Sequence, residues 1–104
     1  MSRKEKILAM LAEEPEDQFL RYSLAMELRK EGNSEESIAI LRALAYDSTP
    51  KHVAAYFMAA QQLAEQGSEE EARTFLRDGI EEARAQSNHH AAAEMSELLQ
   101  ELGK

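Results

Sequence analysis

Imidazole and carboxylate are the groups in this sequence that could move a proton or hold a metal, and their spacing argues against both roles. His52 stands alone, while His89 and His90 are adjacent and would point to different sides of a helix; no carboxylate or cysteine lies at a ligand spacing from them. Solvated or capping histidines are the better account. The carboxylates gather as Glu13-Glu14, Glu69-Glu70-Glu71 and Glu81-Glu82, at helix ends or on exposed faces, where those near a helix start favour its dipole. Paired carboxylates doing acid and base work need a cleft, and none is indicated. No glycine-rich phosphate loop is present, and no hydroxyl has a base placed to make it a nucleophile. The expectation is therefore no catalytic residue, no metal and no cofactor.

The elements that would position these side chains are helices. Hydrophobic residues make up 43 % of the 104 and aromatics 6 %, with abundant Ala, Leu and Glu and two prolines, a helical composition forming one domain. A chain of this length buries roughly 65 % of its unfolded surface without staples. No cysteine is available for a disulfide or a thiolate metal site, which suits a reducing cytoplasm. Twenty acids against twelve bases give a net charge of −8, so nucleic acid and anionic lipid are not expected partners. The apolar run Ile7 to Ala12 after Arg3, Lys4 and Lys6 is shorter than a signal core and is followed by glutamates, and no stretch approaches a membrane span. A cytoplasmic location is expected.

Punctuation divides the chain. Ser2 with Glu5 forms a capping box that opens a helix over about 3–13, stopped by Pro15. A second helix, about 17–31, stacks Leu20, Leu24 and Leu28 with Ala25 beside them and ends at Gly32. The third starts at Asn33 or Ser34 and carries Ile38, Leu41, Leu44 and Ala45, flanked by Ile40. Thr49 is expected to cap a fourth, with Pro50 as its first residue and Tyr56, Ala59, Ala60 and Leu63 on its apolar stripe, ending at Gly67. Ser68 with Glu71 predicts another capping box, opening a fifth helix to about Ala85 with Ala72, Phe75, Leu76, Ile80 and Ala83 inward. Gly79 lies inside that helix, where glycine costs about 1 kcal/mol, so a tight helix crossing is the expected reason for it. A sixth segment holds Ala92, Met95, Leu98, Leu99 and Leu102, closed by Gly103. Connections of two to five residues force sequential antiparallel neighbours.

These segments repeat. Leu28 to Ser37 returns at a spacing of 35 residues as Leu63 to Ala72, each containing a glycine turn and its acidic follow-on, and Pro15 and Pro50 share that spacing. A period of about 20 to 50 residues marks a stacked helical array. The pattern resembles the tetratricopeptide repeat. Arg21, Leu24, Ala25, Leu28 and Gly32 stand at the family's first-helix positions in one unit, and Tyr56, Ala59, Ala60, Leu63 and Gly67 in the next. Ser37 and Ala72 match the small residue opening the second helix, and Leu41 and Leu76 its core. Departures are Arg21 in the aromatic slot, Leu44 and Gly79 in the usual alanine slot, and Arg84 where a closing proline would fall. Met10, Leu11 and Pro15 look like the tail of a preceding unit, and Met95, Ser96, Leu99 and Gly103 like a following first helix. The resemblance implies an all-α fold: a short right-handed helical solenoid of antiparallel pairs, with a flanking helix at 3–13, repeats at 17–49 and 50–86, and a capping helix at 88–102. An ordinary helical bundle is the competing architecture.

The resemblance further implies a non-catalytic module that binds a peptide or helix of another protein in a shallow concave groove lined by the first helix of each unit. By position that groove would present Phe19, Tyr22, Ser23, Met26, Arg29 and Lys30, then Lys51, Ala54, Phe57, Met58 and Gln61. Phe19, Tyr22, Met26, Phe57 and Met58 lie off the core stripe, which is compatible with an exposed interface or with burial under the terminal helices. Arg29, Lys30 and Lys51 make a basic edge that would suit an acidic, hydrophobic peptide or a terminal carboxylate, or would serve solubility alone. The Lys and Asn clamp with which some family members hold chaperone C-termini is absent, since Tyr22, Met26, Phe57 and Gln61 occupy those faces. The alternative function is self-association, the groove or the last helix forming a homodimer interface.

Overall fold

A computed structural model describes residues 1–103, and among them the secondary structure is helical throughout: α1 Arg3–Glu13, α2 Gln18–Lys30, α3 Ser34–Tyr46, α4 Val53–Glu65, α5 Glu69–Ala85 and α6 His89–Glu101. Each boundary has a local cause. Ser2 Oγ accepts from the Glu5 amide at 3.1 Å and the Ser2 amide donates to Glu5 Oε1 at 2.8 Å, the reciprocal box read from the sequence. Those bonds hold the Glu5 carboxyl below its usual range. Asp17 caps α2 and Asn88 caps α6 through bonds to the amides of Leu20 and Ala91. At the far ends, Gly32 and Gly67 adopt φ of +84° and +83° and close Schellman turns, with Asn33 N–H reaching Leu28 O and Ser68 N–H reaching Leu63 O. None of these helices is long and apolar enough to cross a membrane.

Two helix starts differ from expectation. α4 begins at Val53 behind His52, so Thr49 is not its cap and Pro50 is not its first residue. The turn is held by other partners: Pro50 O accepts from Gln18 Nε2 at 2.9 Å, and His52 N–H donates to Leu44 O at 3.0 Å, which draws the chain back toward α3. The connection is correspondingly longer, and linkers run from three to six residues. Ser68 precedes α5 but makes no side-chain cap bond, because the Glu71 carboxylate that would complete the box is engaged 2.7 Å away by Arg42 of α3.

Consecutive helices pack as neighbours, and α4 also meets α6, giving two layers. Arg29 to Glu65 and Tyr22 on His52 join α2 to the α4 region. Arg42 to Glu71 and Tyr46 to Asp78 join α3 to α5. The core between the layers contains Leu41, Leu44, Tyr56, Phe75, Leu76 and Met95, with fully buried alanines at 25, 45, 55, 59, 60, 72 and 83. Tyr46 meets Tyr56 and Phe75 edge-on, with centroids at 5.2 and 5.4 Å, and Arg42 lies over the Phe75 ring at 5.2 Å. Burial and the neighbouring Glu82 and Asp78 push the Tyr56 hydroxyl up to about 12. Burial, then the hydrogen bond to Asp78, raises that of Tyr46. Gly79 sits at the closest crossing: a Cβ there would lie 2.6 Å from both Met95 Sδ and Tyr56 Cβ, so α5 can press against α4 and α6 only without a side chain at this position.

One polar chain crosses the core. Gln62 Nε2 donates to Ser37 Oγ at 2.9 Å, and Ser37 Oγ donates to Ala25 O at 2.7 Å, tying α4 to α3 and α3 to α2; Gln62 Oε1 has no partner among the described residues. Removing the two members has unequal consequences. Ser37→Ala strands the buried Gln62 amide and should cost about 1 to 2 kcal/mol, whereas Gln62→Leu removes an unpaired acceptor, keeps the Ser37 bond and should be nearly neutral. Urea unfolding of the two variants checks this asymmetry; equal losses would mean that the chain acts only through packing.

Candidate interaction surface

The residues expected to line a groove all fall in the α2, α4 and α6 layer or the turn before α4, but they are not equally free. Phe19 on the first turn of α2 is 73 % exposed. Lys30, Lys51 and Ala54 are also exposed, whereas Tyr22, Ser23, Met26, Arg29, Phe57, Met58 and Gln61 are half-buried. Tyr22, Met26, Phe57 and Met58 pack against the core with one side and leave the other to solvent.

Tyr22 owes its position to the α3–α4 turn. Its ring stacks on His52 with centroids 5.0 Å apart at 16°, and Gln18 Oε1 lies 3.2 Å from His52 Nδ1. Since Gln18 donates through Nε2 to Pro50 O, its Oε1 is an acceptor, and the His52 proton belongs on Nδ1. Burial, then Arg21, lowers the His52 pKa, which keeps the ring neutral for stacking. Burial outweighs Arg29 in raising the pKa of the Tyr22 hydroxyl. His52 is thus a packing residue. Of the other histidines, His90 lies 3.6 Å from Glu94, and among the described residues no three His, Cys, Asp or Glu side chains come together as a metal site would need.

The basic edge is largely occupied. Arg29 pairs with Glu65 at 2.9 Å across to α4, and Lys30 reaches Glu27 at 3.6 Å, a carboxylate that Arg3 also contacts at 3.3 Å. Exposed pairs of this kind contribute little to stability, yet they cancel the local positive field that would attract an anionic ligand.

What sequence reading missed is the contribution of α6. An open cleft of about 440 Å³ lies between α4 and α6, lined by Phe57 and Gln61 on one side and His90, Glu94, Glu97, Leu98 and Glu101 on the other. The signal was present in the repeat register: counted back from Gly103 as from Gly67, His90, Glu94, Glu97 and Glu101 hold the places of Ala54, Met58, Gln61 and Glu65. Gly103, with φ of +87°, ends α6 with the same left-handed conformation that Gly32 and Gly67 adopt after α2 and α4. A larger void of about 710 Å³ lies at the Gly32 turn, bounded by Asn33, Ser34, Glu35, Glu36 and Gln66, with no apolar side chain beyond the turn to hold a ligand.

No family model matches the chain, and no curated protein does. Solved structures do. A tetratricopeptide repeat domain protein from Salinibacter ruber is similar with a TM-score of 0.80 and 26 % identity, over 86 % of this chain and 89 % of that one. A protein from Bordetella parapertussis is similar with a TM-score of 0.79 and 24 % identity, over 98 % of this chain and 88 % of that one. With its glycine-closed helix pairs, small residues at the crossings and two-layer packing, the chain has the tetratricopeptide-repeat fold, in a short form whose paired helices α2–α3 and α4–α5 are flanked by α1 and α6.

Proposed function

We propose that the protein is a non-catalytic interaction module that holds a segment of another protein against its α2, α4 and α6 layer. The observation that carries this reading is Phe19: a phenylalanine 73 % exposed at the start of a strip continued by the half-buried Tyr22, Met26 and Phe57. An aromatic side chain left in water at the edge of an apolar strip contributes nothing to folding and a great deal to an interface. The flexible thioethers of Met26 and Met58 would let the strip adapt to more than one ligand.

Selection of short randomised peptides on the immobilised protein, followed by backbone amide shift mapping of the winners, tests the reading. Winners should perturb α2, α4 and α6. Phe19→Ser should weaken them by about tenfold while leaving the melting temperature unchanged, since that ring is exposed. Winners that map to α1, α3 or α5, or that ignore Phe19→Ser, would overturn it. A rise in molecular mass with concentration that Phe19→Ser abolishes would instead favour self-association through the same strip.

A further inference from the structure

The charges around the α4–α6 cleft divide sharply from those near α2. On α6, Glu94, Glu97 and Glu101 follow one another along the face that lines the cleft, all exposed. Glu94 has a contact to His90, while Glu97 and Glu101 have no cationic partner among the described residues. The floor is apolar, made by the half-buried Phe57 and Leu98. At the other end of the layer, the cations Arg29 and Lys30 are already taken by Glu65 and Glu27. An acidic peptide entering the layer would have to break those pairs and face three carboxylates. A cationic one would meet free acceptors in a molecule whose net charge of −8 draws it in from a distance.

Resting on the interaction reading above, we propose that the α4–α6 cleft receives a cationic segment of another protein, in which lysine or arginine alternates with an aliphatic or aromatic residue. The apolar side chain covers Phe57 and Leu98. The aliphatic stems of the basic residues continue over the same floor, and their heads reach Glu94, Glu97 and Glu101. The acidic, hydrophobic ligand expected from Arg29, Lys30 and Lys51 loses its electrostatic basis once the first two are paired, whereas the carboxylates of α6 retain theirs.

The peptides selected above supply the probe. The selected sequences should be enriched in Lys and Arg beside Leu, Met or Phe, and their shifts should centre on Phe57, Glu94 and Leu98. Affinity should fall steeply as the screening length shrinks from about 10 Å at 0.1 M salt to about 3 Å at 1 M. The triple variant Glu94→Lys, Glu97→Lys, Glu101→Lys, whose changes all lie on an exposed face, should bind them at least about tenfold more weakly with its melting curve intact. Neutral or acidic winners that still map to the layer would overturn the cationic preference and leave the interaction reading standing. Winners that map elsewhere, or no winners at all, would overturn both. Cationic winners that bind the triple variant equally well would show that α6 is not their acceptor and overturn the proposal.

Discussion

Gly79→Ala is expected to lower stability by about 2 kcal/mol, although alanine is the better helix former by about 1 kcal/mol. The reason is the identity of the atoms in the way. The new Cβ would lie 2.6 Å from Met95 Sδ and 2.6 Å from Tyr56 Cβ, with Tyr56 Cγ at 3.0 Å. Methionine can swing its sulphur aside. Tyr56 Cβ is fixed to the α4 backbone and its ring is packed edge-on against Tyr46, so α5 must shift as a body away from α4. Moving one helix of a close-packed pair loosens every contact along it, which is why the loss exceeds the propensity gain. In a domain of this size the melting temperature should drop by about 10 °C. A melting temperature equal to or above that of the parent would show that α4 and α5 can separate freely and that the crossing is not tight.

That glycine was conspicuous in the sequence because a helix interior has no local use for one, and the structure supplies the tertiary use. Features whose cause is local were legible in the same way. Gly32 and Gly67 mark turns because only a left-handed residue closes the helix there, and Ser2 with Glu5 makes a box because both partners sit within one turn. The misread starts are those where a distant side chain outbid the local one. Glu71 belongs to Arg42, and Pro50 O belongs to Gln18, and neither partner can be inferred from its neighbours in sequence. The interaction layer divides along the same line. Which residues share it follows from the repeat register, including the overlooked His90, Glu94, Glu97 and Glu101. How free each one is depends on another helix or turn: Tyr22 is covered by His52 and Arg29 is neutralised by Glu65. The triple change of Tyr22, Met26 and Phe57 to serine, a clean test if these side chains were exposed, would remove core contacts too, which makes Phe19 the better probe.

Ala60→Leu tests the register itself, through a comparison that the end of the stack provides. The small residue of each first helix falls at Ala25, Ala60 and Ser96. The first two are completely buried, because a following helix pair packs over α2 and α6 packs beside α4. Ser96 occupies the same slot in α6 but is only half-buried, and it lines an open cleft of about 330 Å³ with Arg77, Ile80, Arg84, Leu99 and Gln100. A leucine at position 60 has nowhere to place its additional carbons without forcing helices apart, and should cost about 3 kcal/mol. A leucine at position 96 extends into that open cleft beside Leu99 and should leave stability within about 0.5 kcal/mol of the parent. Denaturant unfolding of the two variants side by side reads the difference. A shared slot with opposite tolerance is what a stack that stops after α6 requires; equal tolerance at both positions would mean that Ala60 does not sit where successive units meet, and the alignment of α6 with α2 and α4 would fall with it.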